Sequence, residues 1–399
     1  MKFVKYLPQF GWEPIILTVK DGEYQAIDES LESDISETIK VFKTRVIGLY
    51  GLFKKFTGRK TIPTHQLSIG KNDSLFSRLS RWVRLNIILP DGRIGWYPFA
   101  VAGGRKIIEN EKIDLIFSSG PPHSLHLIAR SLVKMYSIPW VADFRDPWTE
   151  RFYYEENERS FFAKKLDLYL EKNILTHANR ITTVSMGLKK LLERKVSPSN
   201  MEVIYNGYDE TDFKTSLIEK TDNGTIISSI GTLSRTQTPN VLFKAIEELR
   251  NEGITKSIYL HFAGTIHPAI RDDINDRYHI NDITTYHGYL SHMDAIEMMR
   301  KSDFLILVIP KTKNNVGIIT GKLFEYLRAA APIILIGPPD SDAAKILRET
   351  HTGFSIGYDS VPEMKNILLH PPRLVPANIG RYTRENLTKQ LSDVFNGCC

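Results

Sequence analysis

A cation, a carboxylate and a glycine-flanked stretch of backbone fall close together in Gly317-Ile318-Ile319-Thr320-Gly321-Lys322-Leu323-Phe324-Glu325. The segment reads as a glycine loop opening an amphipathic helix, and the apolar run Pro332-Ile333-Ile334-Leu335-Ile336-Gly337 reads as the strand that follows. A helix start offers unpaired backbone N–H groups and the positive end of its dipole, which suits a diphosphate. Lys322 adds a cation at that end, among the backbone of Thr320, Gly321 and Leu323. One turn on, Glu325 is placed to accept hydrogen bonds from a ribose diol. Together they describe a nucleotide-diphosphate site.

Four other places carry candidate chemistry. Asp143-Phe144-Arg145-Asp146-Pro147-Trp148 follows an apolar run ending at Ala142, so Asp143, Arg145 and Asp146 sit at a strand's carboxyl end. Charges there are costly unless used or paired; they either take part in chemistry or form an ion pair that shapes the loop. Ser118-Ser119-Gly120-Pro121-Pro122 is a second strand-to-helix turn, with His123 and His126 on the helix beyond it. His126 is a candidate catalytic group or a structural histidine, and no third ligand accompanies the pair to suggest a metal. Gly231-Thr232-Leu233-Ser234-Arg235 offers a glycine that lets backbone approach a ligand, with Arg235 as a further cation. His287-Gly288-Tyr289 is a weaker candidate.

The elements that must position these residues alternate. Apolar or β-branched runs at Ile15–Val19, Leu115–Ser118, Trp140–Asp143 and Ile181–Val184 are separated by helical patterns such as Pro122–Tyr136 and Ala163–His177. The alternation restarts with Thr225–Ile230, Ile258–Phe262, Phe304–Ile309 and Ile333–Ile336. Each series predicts a parallel α/β sheet, and the Asn206-Gly207 turn with the polar stretch after it marks a boundary. The expected domains are residues 1–205, 206–380 and a terminal helical segment 381–399.

The chain has 399 residues, a formal net charge of +6 and a pI of about 9.0. No apolar run of about 18 residues suggests a membrane span, no secretory signal pattern opens the chain, and a cytoplasmic location is expected. Cys398 and Cys399 are the only cysteines, so neither a disulfide framework nor a cysteine metal site is expected. Between Lys40 and Lys60 the seven charged residues are all basic, including Lys54, Lys55, Arg59 and Lys60, and they interleave with apolar ones. Leu75–Ile88 repeats that character at helical spacing. Both segments suit the anionic inner surface of a plasma membrane or an ordinary solvated face. Nucleic acid is not expected, since no recognised binding motif accompanies the charge.

Taken in order, several segments resemble family 4 glycosyltransferases, with a likeness to bacterial enzymes of polysaccharide and cell-surface glycan assembly. They are Pro90-Asp91 with Gly95-Trp96, the 118–122 and 143–148 turns, Thr183-Val184-Ser185, Asn206-Gly207-Tyr208-Asp209, Gly231-Thr232-Leu233, Gly288-Tyr289 and the Lys322–Leu327 helix. The resemblance implies the GT-B fold: two doubly wound Rossmann-like α/β domains facing a cleft. It also implies transfer of a sugar, with retention, from a nucleotide-diphosphate donor to a glycan or lipid-linked acceptor.

By the same resemblance Glu325 matches the second of two family glutamates eight positions apart, the one that holds the ribose. Gly317 stands where the first, which contacts the sugar ring, would be. Asp143 or Asp146 is implied to orient the acceptor hydroxyl, in a loop where relatives often carry His at the place of Arg145. Gly288 belongs to the loop that meets the base. Arg235, paired across the cleft with Lys322, is expected to neutralise the leaving diphosphate so that no metal cofactor is required. The terminal helix is implied to cross back to the first domain. Residues 3–19 look like the family's first helix and second strand, so the chain is expected to start late, from a truncated frame, leaving apolar sheet edges unpaired. Two rival readings remain at this stage, a nucleotide-sugar epimerase and a degenerate sugar-nucleotide-binding chain.

Overall fold

The computed structural model describes residues 2–20, 22, 35–47, 75–151, 154, 157–196, 200–213, 224–254 and 257–399. Lys54, Lys55, Arg59 and Lys60 lie outside the described residues. The chain divides into two compact units, one made of Val4–Ile27, Ile35–Ile204 and Lys389–Cys399, the other chiefly of Tyr205–Thr388 with Met1–Phe3.

In the first unit Ile16–Val19 (β1) pairs in parallel with Val41–Thr44 (β2). Part of the basic segment is therefore a strand, and Lys40 at its start is bound to Glu111 at 2.7 Å. Helices Leu75–Asn86 (α1) and Tyr97–Asn110 (α2) precede Ile116–Gly120 (β3), which leads through Ser124–Tyr136 (α3) to Trp140–Phe144 (β4). Phe161–His177 (α4) connects to Arg180–Thr183 (β5), and Met201–Val203 (β6) completes the four-stranded parallel sheet β3-β4-β5-β6. Among the described residues, no strand pairs with the outer edge of β3 or with the second edge of β1. Trp140, Val141, Ala142 and Phe144 are all 0% exposed, as expected for a parallel strand covered on both faces.

The second unit is a six-stranded parallel sheet of order β12-β11-β10-β7-β8-β9. Its strands are Thr225–Ile230 (β7), Ile258–Ala263 (β8), Thr284–Gly288 (β9), Phe304–Val308 (β10), Ile333–Ile336 (β11) and Gly353–Ile356 (β12). The β-branched and leucine-rich runs of β10 and β11 are buried throughout. One apolar cluster lies on the face of Asn240–Asn251 (α5) and a second includes Lys322–Ala329 (α7) and Asp342–Thr350 (α8), with His292–Lys301 (α6) on the same side. Strand order reverses between β7 and β10, and in such sheets ligands bind outside the strand ends at that reversal. The loops leaving β7 and β10 carry Gly231–Arg235 and Thr320–Lys322. No described helix is long and apolar enough to cross a membrane.

Candidate functional site

At the end of β7 the chain turns through Gly231, whose φ is +97°. A Cβ there would fall 2.6 Å from Cε and 3.0 Å from Nζ of Lys322, so the lysine side chain lies directly over the glycine. Lys322 Nζ donates to the Thr232 carbonyl at 2.9 Å. Packing around the half-buried ammonium lowers its pKa to about 8, offset in part by Glu325. Tyr326, one residue beyond that carboxylate, accepts from the Ile230 amide at 2.9 Å and so fixes α7 to the end of β7.

Lys322 opens α7 and Glu325 is in its first turn. Gly321 has a helical φ of −57° and open space around its Cα, so torsion does not demand glycine there; its missing side chain leaves room before the helix's first amides. The hydroxyl of Thr320 is buried without a hydrogen-bond partner. Gly317 closes a short 3-10 turn, Asn315–Gly317. Arg235 is exposed and begins another short turn, capped by Ser234 and Gln237. Both Arg235 and Lys322 belong to the second unit. That corrects the expectation of a pair facing each other across a cleft: they leave adjacent strands of one sheet. Gly288 has a φ of +67°, and its carbonyl accepts from Gly264 N at 2.5 Å.

Around Glu325 stands a group of charges that the sequence did not disclose. Lys2 Nζ meets Asp209 at 2.9 Å and Asp212 at 3.1 Å, and Asp212 accepts from His292 at 3.1 Å. Burial raises the Glu325 pKa, with His292 and Arg384 opposing that shift. The hydrogen bond to Asp212 raises that of His292. Residues from the N-terminus, the 209–212 turn and α6 share no local pattern, so only the fold could bring them together.

In the first unit Asp143 is already committed. Register places it between Ser119 on β3 and Thr182 on β5, and its carboxylate accepts from Ser119 Oγ (2.6 Å), Thr182 Oγ1 (2.7 Å) and Arg145 Nε (2.6 Å). Arg145 also donates to the Ile204 carbonyl. The ion pair therefore shapes the loop, and Asp143 offers no free carboxylate. Asp146 lies at the surface; packing around its carboxyl raises the pKa, partly offset by the Arg151 guanidinium.

His126 is placed as a structural histidine, the second of its two sequence readings, and not as a catalytic group at the surface. It is 0% exposed, sealed under Gly120, where a Cβ would come 2.7 Å from its Nε2. Trp140 Nε1 donates to Ser118 Oγ at 2.9 Å, and that hydroxyl is 2.9 Å from His126 Nδ1. Burial lowers its pKa to about 4, so at neutral pH it is an uncharged core residue stacked on Phe144. His123, equally buried, stacks on Trp148 at 4.9 Å. The 143–148 loop is held from behind by α4: Trp148 Nε1 donates to Asp167 at 3.2 Å and Thr149 Oγ1 to Glu171 at 2.6 Å.

Two units built on parallel sheets, the second with a reversal of strand order at its centre, fit the two Rossmann-like domains of the GT-B fold, which the similar solved structures share. Residues 2–212 match the model of Glycosyltransferase Family 4, and the chain belongs to that family. Among solved structures it is similar to sucrose-phosphate synthase from Thermosynechococcus elongatus, at 14% identity and TM-score 0.58 over 100% of this chain and 87% of that one. A glycosyltransferase from Rickettsia africae gives 13% and 0.56, over 100% and 88%. TarM from S. aureus gives 12% and 0.51, over 77% and 59%. No curated protein sequence matches the chain.

Proposed function

We propose that this glycosyltransferase moves a sugar from a nucleotide-diphosphate donor to a glycan or lipid-linked glycan acceptor in the cytoplasm, with retention and without a metal cofactor. One observation carries the reading: Lys322 is held over Gly231 at the start of α7, with Glu325 in the same first turn. The TarM structure is a complex with UDP, a nucleoside diphosphate, which supports a ligand of that class. In this reading the helix amides and Lys322 hold the diphosphate and Glu325 the ribose. Exposed Arg235 supplies the second cation.

During transfer the bond from the anomeric carbon to the phosphate oxygen breaks, its electrons going to the diphosphate. The acceptor oxygen forms the new bond and passes its proton to the departing diphosphate oxygen. Lys322 and Arg235 offset the charge that grows on the leaving group, which stabilises the transition state more than the bound donor. Asp146 is assigned to orient the acceptor, since Asp143 is occupied by its three donors.

The test is release of nucleoside diphosphate from a panel of nucleotide sugars, with and without acceptor glycans. Release that depends on acceptor and is accompanied by a glycosylated product is expected. Release at the same rate without acceptor would instead fit an epimerase.

A further inference from the structure

Helix α4 anchors its second half in the core through Ile174 and Leu175, but its first turns expose aromatic rings while two carboxylates lie inside. Its inward face carries Asp167 and Glu171, both 0% exposed, bound to Arg159 and Lys195. Its outward face carries Phe161 at 71% exposure and Phe162 at 82%, followed by exposed Leu166 and Tyr169. Between these stand exposed Lys164 and Lys165, the latter with its Nζ 5.9 Å from the Phe161 ring centroid. Both acidic residues of the helix are buried, so its exposed face carries no carboxylate. A helix that spends its apolar side chains on solvent needs something to cover them.

The neighbouring helix continues the pattern. Asn86 Oδ1 at the end of α1 accepts from the Ser160 amide at 2.6 Å, which joins the end of α1 to the start of α4. α1 contains no acidic residue, and Trp82 on it and Ile87 just after it are 48% and 64% exposed. Exposed Arg78 adds another cation. The surface combines aromatic rings, aliphatic side chains and positive charge without an exposed carboxylate on either helix.

We infer that the outward faces of α4 and the end of α1 form a docking surface for an anionic lipid bilayer. Charge decides among occupants. A second copy meeting this face symmetrically would bring two cationic faces together, whereas an anionic bilayer meets the cations with headgroups and the rings with acyl chains. Phe161 and Phe162 enter the interface at the start of α4, flanked by Lys164 and Lys165 at phosphate level. The assignment keeps the 75–88 segment of the sequence reading, which forms α1, and adds α4 to it.

The experiment is co-sedimentation of the full chain with vesicles of phosphatidylcholine alone and of phosphatidylcholine mixed with phosphatidylglycerol, at low and high salt. The native chain is expected to pellet with the mixed vesicles at low salt and to be released by salt. Phe161→Ser with Phe162→Ser, and separately Lys164→Gln with Lys165→Gln, should each lower the partition coefficient at least about tenfold. Because all four side chains are exposed, both variants should keep the native melting curve. Failure of the native chain to bind mixed vesicles at low salt, or equal binding by the variants, would overturn the assignment. So would a dimer in sedimentation velocity that the paired Phe substitutions abolish, since a second copy would then be the occupant. Sedimentation does not depend on sugar transfer, so this result and the enzymatic reading stand or fall separately.

Discussion

Gly231 and Lys322 form a single device. Any side chain at 231 would occupy the space of the Lys322 ammonium stem and would strain a φ of +97°. Gly231→Ala is therefore expected to cost about 1–3 kcal/mol of stability and to abolish detectable transfer, checked by thermal melting beside the acceptor-dependent assay; a fully active variant would unseat the pair. Lys322→Ala should weaken uridine diphosphate binding by about 1.5–3 kcal/mol, as for loss of a charge-assisted hydrogen bond, read by calorimetric titration. With its pKa near 8, Lys322 is an ammonium below that pH and loses its charge above it. Native affinity should fall as pH rises through about 8, and Lys322→Arg should remove that fall because a guanidinium stays charged. The same pair shows what was legible. Lys322 and Glu325 were visible because a helix start is a local pattern. The seat over Gly231 was not, because it depends on the adjacency of β7 and β10.

At the scale of elements, strand boundaries were largely readable from apolar runs: Thr225–Ile230 and Ile333–Ile336 coincide with β7 and β11. Side-chain direction was not. Asp143 read as a rim carboxylate because it precedes a turn, yet register aims it between Ser119 and Thr182. His126 read as either a catalytic or a structural group because it follows the turn, and its place beneath Gly120 decides for the second. α4 hid its roles most completely, since Asp167 and Glu171 find their cations at Arg159 and Lys195. Asp167→Ala would leave Arg159, itself buried, without its partner and remove the acceptor for Trp148. A loss of about 3–5 kcal/mol is expected, measured by urea unfolding, along with a weakened acceptor-dependent rate as the 143–148 loop loosens. Native stability in that variant would mean that solvent reaches Arg159 readily.

For the whole molecule, the net charge of +6 separates into functionally distinct groups. Lys322 and Arg235 are assigned to the diphosphate, and the cations of α4 and α1 to a surface. In the proposed reaction protein cations take the place of a divalent ion at the leaving group, so transfer is expected to persist in excess EDTA. Loss of the reaction with EDTA and its return with magnesium or manganese would contradict that. Family and fold class were legible at this scale because several short segments kept their order along the chain. Helix α4 has a further consequence over evolutionary time. On the docking surface inferred above, replacements among Phe161, Phe162 and Tyr169 would alter where the protein resides while Asp167 and Glu171 go on holding Trp148 and Thr149 in place. Descendants of this chain can change address without relearning their chemistry.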